Sequence, residues 1–272
     1  MISVNLTTTY QRLHLCRIAL TSLLLQTRLP DRIHLWVSRE SYLRDRGIAD
    51  SRALEELLDA LPAAHRERVQ IRWVSNTGPY RKLIPMLREA GAEDVLVTAD
   101  DDIFYGRDWL KLLLKSFEQA GGQPVAARVR KKAFNFLGGK TSYLYWNVIT
   151  EASVVADDFV ITFGGGAVLT ASMFRAEDIV SEAYLDMSPT ADDLWYSRLL
   201  RNAGCRIVVV PEVLSELTFL AHREGLGNQN NLNVRSLLTR IKFRLWDSFA
   251  GRLGLPISEN DRAYRRLEKH FN

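Results

Sequence analysis

Residues 95–104 of the chain read VLVTADDDIF, an apolar run that ends in three consecutive carboxylates. The β-branched first half is typical of a strand that is buried on both faces of a parallel sheet. Open α/β sheets bind their ligands at the C-terminal ends of such strands. We therefore predict an α/β protein whose functional site includes Asp100, Asp101 and Asp102.

The spacing of these aspartates is compatible with a metal site. Residues two positions apart on an extended chain point to the same side, so Asp100 and Asp102 can converge on one ligand. Their mutual repulsion is costly unless a cation or a polar ligand binds to them. Carboxylate oxygens are preferred ligands of Mg²⁺ and Mn²⁺, which usually also bind substrate phosphates. The alternative is an acidic loop capping the helix that begins near Asp108, and the triplet alone leaves both interpretations open.

The composition narrows the class of protein. The chain has 272 residues, of which 47% are hydrophobic, enough to bury a substantial core. Its net charge is only +4, unlike that of a typical nucleic-acid-binding domain. Cys16 and Cys205 lie in apolar patterns, which favours buried thiols in a reducing compartment. No signal peptide and no run of ~20 apolar residues is present. We expect a cytoplasmic protein that binds no nucleic acid. If it associates with the membrane, we expect it to bind peripherally to the inner face.

Strand and helix patterns alternate through the first half of the chain. The succession of a strand, a helix and a strand in its first part predicts a βαβ unit with parallel pairing and a right-handed crossover. We read strands at 2–6, 33–37, 69–74 and 95–99, and helices from residue 13, at 53–61, at 80–90 and at 109–120. This is a doubly wound, Rossmann-like half that ends near residue 122. It has neither the Gly-x-Gly-x-x-Gly fingerprint of dinucleotide-binding enzymes nor a Walker A loop.

The second half is built differently. We predict strands at 125–129, 159–163, 167–169 and 205–210 and a helix at 194–203. Three consecutive glycines at 164–166 let the backbone pass close to a ligand or to another strand, or form a simple tight turn. Asp192 and Asp193 precede the helix. A single polar residue there, Thr190 or Asp192, can cap the helix, but two adjacent carboxylates exceed what a cap requires.

Several segments, in this order, resemble glycosyltransferases of the GT-A fold, closest to the large family 2 group. The aspartate triplet resembles the DxD motif of that family, and residues 192–199 (DDLWYSRL) resemble its E-D-x-x-L-x-x-R-L segment. Further similar segments are residues 4–12 (VNLTTTYQR), 22–33 (SLLLQTRLPDRI), 163–174 and 204–211. The resemblance covers residues 2 to about 222 and implies a mostly parallel central sheet flanked by helices.

The resemblance also implies an activity. A family member would be a metal-dependent, inverting transferase that uses Mn²⁺ or Mg²⁺ and a nucleoside-diphosphate sugar, with a UDP-sugar favoured. It would transfer a hexose to a glycan or a lipid-linked acceptor in surface polysaccharide synthesis. The implied organisation is a catalytic domain at 1–222, with a nucleotide-sugar-binding half (1–122) and an acceptor half (123–222). Residues 223–272 would form a C-terminal amphipathic helical extension.

The family pattern assigns roles to individual residues. Asp100 and Asp102, with His222, would hold the metal. Asp192 or Asp193 would be the catalytic base: counting back from Arg198 favours the former, and matching the acidic pair favours the latter. The second strand of the family ends in an aspartate that holds the nucleotide base, and Ser38 or Glu40 would replace it here. The residues expected to bind the donor are Thr8, Tyr10, Arg12, Glu40, Lys82, Asp100 and Asp101.

The last part of the chain leaves two readings open. Residues 233–255 form an amphipathic basic pattern, which fits a helix on an anionic membrane surface or one packed on the catalytic domain. Two other functions also compete with glycosyl transfer. A nucleotidyltransferase would be expected to have a glycine-rich basic loop after the first strand, and residues 7–12 contain no glycine. An inactive sugar- or nucleotide-binding module would have no need to retain both acidic sets.

Overall fold

A computed structural model describes residues 1–221 and 250–271 of the chain. Most of its strands are short. In chain order they are β1 (Ile2–Thr7), β2 (Arg32–Val37), β3 (Val69–Trp73), β4 (Val95–Thr98), β5 (Ile103–Tyr105), β6 (Val125–Ala126), β7 (Val129–Lys131), β8 (Asn147–Val148), β9 (Ser153–Val155), β10 (Phe159–Ile161), β11 (Ala167–Leu169), β12 (Ile207–Val209) and β13 (Leu217–Phe219). The helices are α1 (Leu13–Leu24), α2 (Arg52–Asp59), α3 (Ile84–Glu89), α4 (Trp109–Gln119), α5 (Ala176–Val180), α6 (Tyr184–Met187), α7 (Asp192–Asn202) and α8 (Glu259–Phe271).

Eight strands form the central sheet, in the order β3-β2-β1-β4-β11-β6-β12-β9. Strands β1 to β4 are parallel, β6 and β12 are parallel to each other, and β11 and β9 run antiparallel to their neighbours. The order reverses at β1, which pairs with both β2 and β4. Such a reversal opens a crevice at the C-terminal ends of the strands. The predicted α/β class with a mostly parallel sheet is confirmed.

Two smaller sheets lie beside this edge. Strand β13 pairs with β5, which begins directly after the aspartate triplet, and β7 pairs with β10 and β8. The predicted strand at 125–129 is therefore two strands, because the chain leaves the central sheet after Ala126. The amide of Ala127 donates to the Gly166 carbonyl (3.0 Å), and β7 then joins the other sheet. This break moves Arg128 out of regular pairing and to the edge of the crevice.

Helices cover both faces of the central sheet. One hydrophobic cluster joins α1, α2 and α4 to one face, and the other joins α3, α6, α7 and α8 to the opposite face. Each cluster is centred on side chains that are fully buried, such as Leu20 and Leu113 on the first face and Trp195 and Leu199 on the second. The amphipathic patterns of the sequence are satisfied in this way, because each helix places its apolar side against the sheet.

The buried Gln26 connects α1 to the turn before α4. Its Nε2 donates to the Gly106 carbonyl (2.7 Å), and its Oε1 accepts from the Leu110 amide (3.0 Å). The neighbouring Thr27 hydroxyl donates to Asp108 Oδ1 (2.6 Å). These contacts give the SLLLQT segment a structural role, which is to position the chain just after the aspartate triplet.

The helix predicted at 80–90 is divided. Residues Gly78–Lys82 form a 3-10 turn and α3 begins only at Ile84. Leu83 has φ −135° and ψ −43°, outside the helical range. Pro85 lies in the first turn of α3, where its missing N–H leaves no hydrogen bond broken. The division places Arg81 and Lys82 in a buried turn instead of on a helix surface.

Helix α8 packs on the second face of the central sheet through Ala263 and Leu267, which are buried in the cluster on that face. Its Glu268 forms ion pairs with Lys140, Arg198 and Arg201. Residues 233–249 of the predicted amphipathic helix lie outside the described residues, and so does His222. Across residues 1–221 and 250–271, we find no helix of the length and apolarity needed to cross a membrane.

Gly166 provides a test of the packing between β11 and α4. Its φ is +106°, and an added Cβ would lie 2.8 Å from both Leu113 Cδ1 and Trp109 Nε1. Gly122 also has a positive φ (+82°), but an added Cβ there would meet no heavy atom within 4 Å. We expect Gly122→Ala to cost about 1–2 kcal/mol through backbone strain alone. Gly166→Ala should cost about 1–3 kcal/mol more, because the core is also overpacked. Equal free energies of unfolding in urea would contradict this account.

Candidate active site

The two acidic segments of the sequence meet at one buried ammonium group. Lys82 Nζ lies 2.9 Å from Asp100 Oδ1 and 3.0 Å from Asp192 Oδ2. Asp100 follows β4, and Asp192 is the first residue of α7. Burial opposes the charge of Lys82, but Asp100 and Asp192 raise its pKa well above the usual value. Lys82 is therefore a protonated cation that holds two distant parts of the chain together.

The three aspartates differ in their surroundings. Asp101 is buried, where it accepts a hydrogen bond from the Thr8 hydroxyl (2.6 Å) and forms an ion pair with Arg12. The side chains of Asp100 and Asp102 are 35% and 24% exposed, and Asp102 Oδ2 lies 2.8 Å from Arg12 Nη2. The alternative of an acidic loop serving the next helix is wrong, because these contacts are made to Thr8, Arg12 and Lys82.

Burial has an electrostatic consequence for Asp101. Desolvation raises the pKa of this carboxyl to about 7, the Asp102 charge adds to the effect, and Arg12 and Thr8 oppose it. Arg12 in turn has a raised pKa, because the attraction of Asp101 and Asp102 exceeds the effect of its own burial. Asp101 thus connects the first loop to the triplet and presents no carboxylate to the solvent.

The residues present fit a divalent cation that is shared with a substrate. Mg²⁺ is usually held by one or two carboxylates, with substrate phosphates and water completing the shell. Asp100 and Asp102 supply two partly exposed carboxylates of this kind. In the part of the chain that the structure describes, no group of three or more His, Cys, Asp or Glu side chains is placed to hold a metal. A substrate diphosphate would therefore have to complete the site.

The predicted donor residues lie around the same crevice, with different exposure. Tyr10 is on the rim and is 55% exposed. Glu40 is also on the surface, and its Oε2 accepts from the Asn76 amide (2.9 Å). Asn76 Nδ2 donates to the Glu40 carbonyl and to Asp45 Oδ2. Glu40 thus ties the loop after β2 to the loop after β3, and Ser38 is buried beneath it.

Asp45 is a residue of the site to which no motif in the sequence points. Its Oδ2 lies 2.9 Å from Arg81 Nη2 in a pair that is almost fully buried, and the same nitrogen donates to the Thr8 carbonyl (3.3 Å). Arg81 therefore joins the loops after β1 and β2 to its own turn after β3. Burial lowers the pKa of Arg81, and Asp45 counteracts this effect. Its Nη1 is buried without a hydrogen-bond partner among the described residues.

Asp192 and Asp193 occupy distinct environments. Asp192 pairs with Lys82, whereas Asp193 Oδ1 accepts from the Phe163 amide (3.0 Å). Burial and the charge of Asp192 raise the pKa of Asp193 to about 7, although Lys82 lowers it. Neither Thr190 nor Asp192 caps α7, because Ala191 occupies the N-cap and makes no side-chain cap bond. The suggestion of a capping role is wrong, and the acidic pair instead faces other parts of the chain.

The glycine run separates two side chains of the crevice. An added Cβ on Gly164 would lie 1.9 Å from Asp100 Oδ2, and one on Gly165 would lie 2.8 Å from the Arg128 Cβ. The Tyr105 hydroxyl donates to the Gly164 carbonyl (2.8 Å) and accepts from the Asp100 amide (2.7 Å). The close approach that the glycines permit is thus to side chains of this chain. Nothing in the local sequence around Arg128 had pointed to the site.

Comparison with known proteins gives matches only at the level of structure. No family model matches the sequence, and no curated protein matches it. Staphylococcus aureus TarS matches with a TM-score of 0.52 and 14% identity, over 82% of this chain and 37% of that chain. S. aureus TarS 1–349 in complex with UDP matches with a TM-score of 0.50 and 15% identity, over 78% of this chain and 58% of that chain.

The fold is of the GT-A type. The chain thus spans between 37% and 58% of the TarS chains that it matches. A 4-diphosphocytidyl-2C-methyl-D-erythritol synthase from Anaerococcus prevotii matches with a TM-score of 0.47 and 13% identity, over 77% of this chain and 88% of that chain. At these identities the similarity concerns the fold alone, and the GT-A architecture agrees with the one that the motifs implied.

The ion pairs of Lys82 can be tested by a double-mutant cycle. We expect Lys82→Met to lower the free energy of unfolding by about 3 kcal/mol, because the buried Asp192 and the partly exposed Asp100 both lose their cation. Lys82→Met/Asp192→Asn should be more stable than Lys82→Met, since one uncompensated charge is removed. The control is Lys111→Met, on a side chain that is 60% exposed, with an expected change within about 0.5 kcal/mol. Additive effects of the two substitutions in urea unfolding would contradict the coupling.

Proposed function

We propose that this protein is a metal-dependent, inverting glycosyltransferase that uses a nucleoside-diphosphate sugar. The observation that carries the proposal is the contact of Lys82 with both acidic sets, Asp100 of the triplet and Asp192 of the pair. It brings a candidate diphosphate site and a candidate base into one crevice. The proposed acceptor is a glycan or a lipid-linked glycan of a surface polysaccharide.

The proposed donor site uses the residues around the triplet. As the bond between the sugar and the diphosphate breaks, negative charge develops on the leaving phosphate. Mn²⁺ or Mg²⁺ held by Asp100 and Asp102 would neutralise this charge as a Lewis acid. Arg12 and Lys82 supply further positive charge beside these aspartates. Asp101, which accepts a hydrogen bond from Thr8, holds Arg12 in place. Tyr10 and Glu40 are proposed to contact the nucleotide from the surface.

The proposed base is Asp193. The acceptor hydroxyl attacks the anomeric carbon, its proton passes to the Asp193 carboxylate, and the sugar–phosphate bond breaks on the opposite side. The Phe163 amide holds Oδ1, which orients the second oxygen for the proton. A pKa of about 7 suits this task, because a base near the working pH is both deprotonated and sufficiently basic. Asp192 then acts as the partner of Lys82 and as a positioning residue.

The choice of UDP as the favoured nucleotide is supported by the fold. S. aureus TarS 1–349, which shares the architecture at 15% identity, was solved in complex with UDP. We also propose the division into a nucleotide-sugar-binding half (1–122), an acceptor half (123–222) and a C-terminal extension (223–272). The amphipathic basic pattern at 233–255 further suggests that the extension contacts the cytoplasmic face of the membrane.

Calorimetric titration of nucleotides tests the donor site. We expect UDP to bind in the presence of Mn²⁺, and to bind at least tenfold more weakly with a chelator or in the Asp102→Ala variant. The physical reason is the loss of the cation that links Asp102 to the diphosphate. Asp59→Ala removes an aspartate whose side chain is 83% exposed, and it should leave the affinity unchanged. GDP and CTP are titrated in parallel. Failure of UDP and GDP to bind under any condition would reject the sugar-nucleotide hypothesis, and selective binding of CTP would favour a nucleotidyltransferase.

The pH dependence of the reaction tests the base. Because Asp193 must be deprotonated and its pKa is about 7, kcat/KM should fall tenfold per pH unit below about pH 7. Asp193→Asn should lower kcat by roughly 10²- to 10⁴-fold and leave UDP binding intact. In Asp192→Asn the acidic limb should move to lower pH, because the charge that raises the pKa of Asp193 is gone. Loss of turnover in Asp192→Asn with retention in Asp193→Asn would reverse the two roles.

A further inference from the structure

Arg128 is a cation of the crevice that has no ion-pair partner among the described residues. Arg12, Lys82 and Arg81 each lie against a carboxylate. Within residues 1–221 and 250–271, no carboxylate oxygen approaches the Arg128 guanidinium within the 4.0 Å of an ion pair. Burial lowers the pKa of Arg128, and the nearby charge of Arg130 lowers it further, whereas Asp193 and Asp100 act in the opposite direction. A half-buried guanidinium in this position is costly unless an anion joins it.

The position of Arg128 places it on the side of the candidate base. Its carbonyl accepts from the Thr162 amide (2.8 Å), and the next residue, Phe163, holds Asp193. Gly165 lies against the Arg128 Cβ, and the preceding Gly164 lies against Asp100. The glycine run therefore lies between Arg128 and Asp100. A ligand that contacts Arg128 therefore lies beside the acceptor hydroxyl that Asp193 would deprotonate.

Arg130 adds a second cation to this side. It is two residues along an extended segment from Arg128, a spacing that places side chains on the same face. Arg130 Nη1 donates to the Trp146 carbonyl (2.7 Å), while its Nε is buried with no hydrogen-bond partner in the described part of the chain. The guanidinium groups of Arg128 and Arg130 repel each other, because each carries a positive charge. A negatively charged ligand between them would offset this repulsion.

Aromatic rings orient both arginines. The guanidinium carbon of Arg128 lies 5.4 Å from the ring centroid of Phe219, and that of Arg130 lies 5.3 Å from that of Tyr143. A guanidinium stacked on a ring keeps the N–H groups of its edge available in one plane. Such an edge matches two oxygens of a phosphate group, and a planar fork of donors binds phosphate more selectively than a point charge does.

We propose that Arg128 and Arg130 bind a phosphate ester of the acceptor, so that the acceptor is a phosphate-bearing molecule. The inference rests on the proposed function, since it names the class of the acceptor. The phosphate lies next to the hydroxyl that receives the sugar and is not the diphosphate of the donor. It can belong to a soluble phosphate-linked chain or to the head of a lipid carrier.

The probe is glycerol 3-phosphate, titrated by calorimetry into the protein saturated with UDP and Mn²⁺, with glycerol as the neutral counterpart. We expect glycerol 3-phosphate to bind and glycerol not to bind. Arg128→Gln should weaken the binding at least tenfold and leave the affinity for UDP within twofold. Arg128→Lys keeps the charge but loses the planar fork, and it should be intermediate. The control Arg52→Gln changes an arginine that is 80% exposed and should have no effect.

Vesicles of phosphatidylcholine, with or without dodecyl phosphate, distinguish the two sources. Arg128-dependent binding that requires dodecyl phosphate in the vesicles and is not seen with glycerol 3-phosphate indicates a lipid carrier, and the converse indicates a soluble chain. The proposal is overturned if neither phosphate binds the UDP-loaded protein, or if Arg128→Gln and Arg128→Lys both bind as tightly as wild type. It is also overturned if glycerol 3-phosphate competes with UDP and Arg128→Gln loses UDP, which would place Arg128 at the donor. Arg128-dependent phosphate binding without binding of either UDP or GDP would instead reject the proposed glycosyltransferase function and leave an anion site.

Discussion

The buried ammonium of Lys82 is the interaction on which the crevice depends. Three carboxylates, Asp100, Asp192 and Asp193, act on it, and carboxylates that are withdrawn from water repel each other strongly. A flexible surface cation would compensate them poorly, because screening by solvent reduces such pairs to a fraction of a kcal/mol. Lys82 is instead held in a short buried turn between β3 and α3. Its position fixes the distance between the end of β4 and the start of α7.

Other hydrogen bonds and ion pairs at the C-terminal edge of the sheet hold the loops around Lys82 in place. Arg81 ties the first loops together through Asp45 and Thr8. The Tyr105 hydroxyl connects the Asp100 amide to the glycine run, and the missing Cβ of Gly164 lets the turn before β11 lie against Asp100 without a clash. Each connection uses a buried polar group with a defined partner, and such networks specify a single geometry more strictly than apolar packing does.

Side chains of the same type have different partners in this site, depending on where they are buried. Asp101 and Asp193 both have a pKa near 7, and in both cases desolvation is the main cause. Asp101 uses its oxygens on Thr8 and Arg12 and is therefore a structural group. Asp193 is held at one oxygen by a backbone amide, and its other oxygen is the one that we propose as the proton acceptor. The same comparison applies to the arginines, since Arg12 and Arg81 are paired within the protein whereas Arg128 has a face for a ligand.

Much of this molecule follows from local sequence. The alternation of strands and helices, the parallel sheet and the grouping of the aspartates at its edge depend on periodicity and on chain order, which neighbouring residues specify. The sequence could not show that Lys82 joins Asp100 to Asp192, that Asp192 and Asp193 differ, or that Arg128 belongs to the crevice. Those properties depend on burial and on contacts between segments far apart in the chain. Only the folded structure decides which charge loses its water and which partner replaces it.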